Sequence, residues 1–171
     1  ASVVNTGDLR VNGGLTTTLY SRQTTITAAG GVETTASSVL VDLDRHMGLN
    51  GDQIVVETWI QHNQSTFTFN LYYGATTILM HSDLGFGGGN FTGHLKVWIT
   101  RTGASTQRIF AHVEIYGTAS GTVSQPLLAA VWPLDGTEAN TGWKTIKTTL
   151  TDSNNDIREY AARITSVGAP G

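Results

Sequence analysis

The sequence predicts an all-β protein: an antiparallel two-sheet β-sandwich of jelly-roll type with a short extended N-terminal arm. Three observations lead there. Apolar and polar residues alternate over several long stretches, the period of half-buried antiparallel strands. Between these stretches sit clusters of Gly, Asn, Asp and Ser, which suit turns. No alternation of strand-like and helix-like patterns runs through the chain, as a parallel α/β sheet would require. Composition agrees, since charged residues make up only 13% of the chain, about half the usual share. Thr, Ser, Gly and Asn fill the difference, and β-branched Thr suits a pleated surface.

The elements follow in order. Residues 1–22, including "NTGDLRVNGGLTTT", hold scattered apolar side chains and read as an arm packed on the domain or on a partner; residues 23–171 form the sandwich domain. Strands are expected near 15–20, 23–28 and 34–43, with "AAGG" at 28–31 as a turn. "DLDRHMG" is a short helical turn, and "LNGD" at 49–52 leads into "QIVVETWIQH". That run places Ile54, Val56 and Ile60 on one face, with Glu57, Trp59 and Gln61 on the other. After "HNQS" at 62–65, "TFTFNLYY" sets Phe67, Phe69, Leu71 and Tyr73 against Thr66, Thr68, Asn70 and Tyr72. A strand near 76–80 is followed by "HLKVWITR", with Leu95, Val97 and Ile99 inward. "RTGAS" at 101–105 turns into "QRIFAHVEIYG", where Ile109, Ala111, Val113 and Ile115 oppose Arg108, Phe110, His112, Glu114 and Tyr116. Strands near 127–132 and 144–151 flank "TEANTG" at 137–142. Last, "REYAARITSV" sets Tyr160, Ala162 and Ile164 against Ala161, Arg163 and Thr165.

Length and charge bound the function. The 171 residues amount to one domain. A net charge of −3 with ten scattered Lys and Arg lacks a nucleic-acid footprint. The chain has no cysteine, hence no disulfide framework and no thiolate metal site. Its longest apolar run, "LLAAVW" at 127–132, is too short to span a bilayer. "ASVVNTGDLR" lacks a secretory signal pattern, and Ala1 fits either a chain that lost its initiator Met or a piece of a longer protein.

Candidate chemistry is sparse. "GFGGGN" at 85–90 has glycines at the first and third positions of a dinucleotide fingerprint, but Asn90 stands sixth and a strand follows instead of a helix. It reads as a conformational joint between strands, with Asn90 as its one residue suited to binding. "DSNND" at 152–156 imitates a calcium loop, yet Ile157 and Arg163 occupy the positions that need Gly and Glu. A hairpin turn explains it better. His46, His62, His81, His94 and His112 have no metalloprotease spacing. Glu57 and Glu114 point outward and can neighbour each other across a sheet, which does not define an acid and a nucleophile. No catalytic residue, metal site or cofactor is assigned, and the expectation is a protein that is not an enzyme.

Aromatic residues on nominally polar faces are the informative feature. Trp59, Tyr72, Trp98, Phe110 and Tyr116 all fall there. Aromatics are enriched at interface cores, so these five are candidates for an oligomer interface, the alternative being a cover formed by the chain's own arm or loops. Trp98 and Tyr72 with Asn63, Asn70 and Asn90 are alternatively candidates for a carbohydrate site, where a ring platform pairs with hydrogen-bonding side chains.

The runs "GVETTASSVLVDLDRHMGLNGDQIVVETWIQ", "FNLYYGATTIL" and "GHLKVWITRTGASTQ", over roughly residues 24–118, resemble a jelly-roll module of tailed-bacteriophage virion proteins. The likeness lies in an ordered set: an "ETT" strand entry, an "L-x-x-N-G-D" turn, a "YGxTT" hairpin and a strand closing in "RTGAxxQ". It implies a homotrimer at a virion surface, with capsid or other virion proteins as partners and no membrane insertion. Two roles stay open: a decoration or cement protein on the phage head, or a fibre-tip or head-spike domain gripping host surface polysaccharide.

Overall fold

The computed structural model describes residues 16–62, 67–82, 90–118, 125–152 and 157–168. The chain is almost wholly strand. β1 (Thr16–Arg22), the two-residue β2 (Ile26–Thr27) and β3 (Thr34–Asp42) precede one helical turn, α1 (Leu43–His46). β4 (Gln53–His62), β5 (Phe67–Tyr73), β6 (Thr76–Ser82), β7 (Asn90–Gly103) and β8 (Thr106–Thr118) follow. β9 (Gln125–Gly136), β10 (Trp143–Asp152) and β11 (Arg158–Val167) complete the set.

Two antiparallel sheets pack face to face. The larger runs β1-β11-β4-β7-β8-β9, with β2 also paired to β11, and the smaller runs β3-β10-β5-β6. Four pairings are nested in sequence: β1 with β11, β3 with β10, β4 with β7, and β5 with β6. A long antiparallel hairpin rolled up on itself has this wiring, and successive strand pairs then alternate between sheets. That is the jelly roll expected from the sequence. β8 and β9 are an added hairpin that widens the larger sheet beyond β7.

The alternating runs bury the faces expected of them. Ile54, Val56 and Ile60, Phe69, Leu71 and Tyr73, Leu95, Val97 and Ile99, and Ile109 and Ala111 meet in one core. Leu43 and Met47 of the α1 turn close one end of it. At the β5–β6 hairpin Gly74 takes φ +66°, a conformation that costs glycine little.

The structure adjusts several expectations. The last third of the predicted arm, Thr16–Arg22, is an edge strand of the larger sheet; residues 1–15 lie outside the described residues. The predicted strand near 23–28 shrinks to Ile26–Thr27. β10 and β11 lie in different sheets, so "DSNND" does not close a hairpin between them; residues 153–156 lie outside the described residues. The first residue of the stretch, Asp152, is buried and accepts a hydrogen bond from the Ile157 N–H at 3.1 Å. The glycines of "GFGGGN" lie outside the described residues, and Asn90 opens β7.

β11 departs from strict alternation. Its register on β4 shifts between Glu159 and Ala161, so Glu159 faces Ile60 while Ala161 faces Trp59. Tyr160 is the extra residue of this β-bulge. Ala162 and Ile164 are buried as expected, but Tyr160 turns outward and Glu159 takes the inward place, with no exposed surface.

Candidate functional site

Glu159 is a carboxylate inside a sandwich core, and its surroundings satisfy it. Arg22 Nη2 and the Ser37 hydroxyl, at 2.8 Å, donate to Oε1; the Thr58 hydroxyl donates to Oε2 at 2.6 Å. Thr148 in turn donates to Ser37 Oγ at 3.0 Å. The five residues come from β1, β3, β4, β10 and β11, so the cluster ties both sheets together. A fully paired buried charge of this kind positions strands and leaves no lone pair free for a ligand.

A second buried polar lock holds residues 137–142 against the β7–β8 turn. Asn140 is fully buried and donates to Gly103 O at 2.7 Å and Thr106 O at 2.9 Å. Its Oδ1 accepts from Tyr73 Oη at 2.9 Å and from Gln107 Nε2. Burial raises the Tyr73 phenol well above its usual range, so the ring stays a neutral donor.

The outer faces carry the predicted aromatics, and the structure sorts them into two groups. Trp59, Trp98 and Phe110 share the outer face of the larger sheet. Trp98 stands opposite Phe110 on one side and Val55 on the other, forming an apolar band across β4, β7 and β8. Phe110 is 37% exposed, so the band reaches solvent at β8. Tyr116 follows on β8 opposite Thr92, with its side chain outside the described residues. Tyr72 and Asn70 lie on the outer face of the smaller sheet, the opposite side of the sandwich. The sugar site expected from Trp98 and Tyr72 together therefore cannot form within one chain. Asn63 and the Asn90 side chain lie outside the described residues.

Around Tyr72 the polar groups are already engaged. Tyr72 Oη, Asn70 Nδ2 at 3.2 Å and the Thr149 hydroxyl all donate to Glu33 Oε1. Those bonds hold the Glu33 carboxyl below its ordinary range, the Thr149 bond first among them. The Lys147 ammonium sits 4.2 Å from the Tyr72 ring centroid and covers one ring face by cation–π attraction. This patch offers a ligand little that is free. Trp143, 66% exposed on β10, and Leu40 on β3 share that sheet face; their side of the smaller sheet depends on register, which local sequence does not carry.

On the larger sheet, Glu57 is the charged centre of the outer face. Arg163 Nε at 2.9 Å and Lys96 Nζ at 3.1 Å hold it from the flanking strands. Burial pushes the carboxyl up, but these cations outweigh it and leave the group below its ordinary range. β7 lies between Glu57 and Glu114, and Lys96 and His94 occupy the intervening positions. The two carboxylates are not neighbours.

Beside Glu57, Trp59 stacks on His94 with centroids 4.9 Å apart and planes 16° from parallel. His94 reaches it from β7, so the other indole face looks toward β11, where the opposing residue is only Ala161. A surface groove of about 430 Å³ opens there, lined by Ser21, Arg22, Gln23, Trp59, Ala161 and Arg163 among others. Its volume falls within the range of small-molecule sites. Small residues at the bulge make this space; alternation alone does not reveal it.

No protein-family model, curated protein or solved structure matches the chain.

Proposed function

We propose that the chain is a non-enzymatic structural protein of a bacteriophage particle, a homotrimer that decorates the head surface. The observation that carries the reading is the Val55–Trp98–Phe110 band on the outer face of the larger sheet. An apolar, aromatic strip that ends in solvent suits the centre of a subunit interface, where such residues are enriched. The ordered likeness to virion jelly rolls over residues 24–118 supports the partner and the setting. Light scattering coupled to size exclusion tests it. The expected result is three chain masses for the wild type and a smaller species for Phe110→Glu, with unchanged circular dichroism. A wild-type monomer at every concentration overturns it.

A second reading, binding of host surface carbohydrate, is favoured by one specific feature: the Trp59 indole presents a free face over Ala161 in an open groove. Pyranose rings stack their C–H faces on such platforms while nearby polar side chains take their hydroxyls. The groove lies over β1, β11 and the Trp59 end of β4, and the apolar band runs from Val55 of β4 across β7 and β8.

A further inference from the structure

We infer that the Trp59 groove selects an acidic pyranose, a uronate unit of a surface polysaccharide; the inference rests on the carbohydrate reading. Its lining carries two arginines and no carboxylate. Arg163 spends Nε and Nη2 on Glu57, and its side chain remains 50% exposed, with Nη1 unpartnered among the described residues. Arg22, lining the same groove, has its Nε–H buried and without a hydrogen-bond partner.

The charge around the groove leans positive. Arg22, Arg163 and Lys96 face two carboxylates, Glu57 and Glu159. An incoming carboxylate therefore finds one cation in excess, and Arg163 Nη1 can donate to it in a charge-assisted bond. Ser21 stands opposite Arg163 across the β1–β11 ladder, on the same outward side, and Gln23 follows it in the chain. They supply a hydroxyl and an amide for ring hydroxyls. The indole face, the guanidinium and the two neutral polar groups fit one acidic sugar ring lying over Ala161. A neutral sugar stacks equally well but leaves the guanidinium edge unused.

The test follows the indole N–H of Trp59 in ¹⁵N-labelled protein, its signal assigned with Trp59→Phe. The intact trimer or monomer, as purified, is titrated with a short oligogalacturonate and with a neutral glucan oligomer of equal length. The acidic oligomer is expected to shift the Trp59 signal and to bind about tenfold tighter than the neutral one, the scale of one charge-assisted bond. Ala161→Leu fills the space against the indole without removing a polar contact and should abolish the shift, with its thermal midpoint confirming the fold. Arg163→Gln should erase the preference for acid while leaving weak neutral binding. Equal affinity for the two oligomers overturns the acidic assignment but leaves the carbohydrate reading standing. A response that persists in Ala161→Leu overturns the groove as the site. Silence from both oligomers overturns the inference and the carbohydrate reading together.

Discussion

Replacing Glu159 by Gln tests whether the buried carboxylate holds the sandwich together. Gln keeps the shape of the side chain but carries no charge, and one of its two terminal atoms becomes a donor. Arg22, Ser37 and Thr58 all donate to Glu159, so the Gln Nε2 must either oppose the Arg22 guanidinium or turn to Thr58, whose hydroxyl then has to accept instead of donate. The Arg22 side chain, only 11% exposed, loses its counter-charge in a place where water reaches it poorly. Breaking one side of such a buried pair costs about 3–5 kcal/mol. That is a large fraction of the roughly 5–15 kcal/mol that stabilises a typical domain. At about 2–4 °C per kcal/mol for a chain of this size, the thermal midpoint should fall by roughly 6–20 °C. Urea unfolding followed by tryptophan fluorescence, at one fixed protein concentration, reads the change directly. Arg22→Leu should cost a similar amount, and the double variant less than the sum of the two, because the partners are coupled. A Glu159→Gln midpoint indistinguishable from wild type would refute the reasoning, since it would mean the cluster is reached by water and carries no net tie between the sheets.

Two further outcomes are expected. Glu57 has a depressed pKa in the folded state, so its contribution is complete above the ordinary carboxylate range, near pH ~4.3, and fades as pH falls through the lower folded value. Wild type and Glu57→Gln should therefore differ in urea midpoint at neutral pH and converge as pH falls below the ordinary carboxylate range; a gap that stays constant with pH would contradict the assignment to Arg163 and Lys96. Asn140→Ala removes four hydrogen bonds at a site with no exposed surface, taking a donor from the Gly103 and Thr106 carbonyls and the acceptor from the Tyr73 hydroxyl. The expected cost is about 2–4 kcal/mol by unfolding, summed from typical penalties for buried unpaired groups, with faster hydrogen exchange in residues 137–142.

Much of the fold is legible in the sequence because a strand with one buried face must alternate. The Gln53–His62 strand reads at its observed bounds, and the inward triplets of residues 95–99 and 69–73 are fully covered. What stays hidden is anything that depends on a partner far along the chain. The bulge at Tyr160 exchanges Tyr160 for Glu159 on the inner face, and no local pattern announces it. Arg22, Ser37, Thr58 and Thr148 converge on Glu159 from four other strands, so each looks like an ordinary polar residue in its own segment. Asn140 sits in "TEANTG", which has the composition of a turn and becomes a lock only against the β7–β8 hairpin. The aromatics were visible as a set, but the assignment of β5 to the smaller sheet moves Tyr72 to the far side from Trp59, Trp98 and Phe110. The groove has no signal of its own. It depends on Ala161 meeting Trp59, which is a matter of register.

The nesting of β1 against β11 has a mechanical consequence. Thr16 pairs with Val167, so the segments entering and leaving the rolled hairpin do so side by side. A load that pulls these two points apart meets the antiparallel ladder from its open end and breaks its hydrogen bonds one after another, as a zipper opens. A load borne between the outer faces of the sandwich engages the Glu159 cluster and the whole core at once. Such a body resists a load between its faces, which must break the cluster and the core together, better than one that draws out its ends bond by bond.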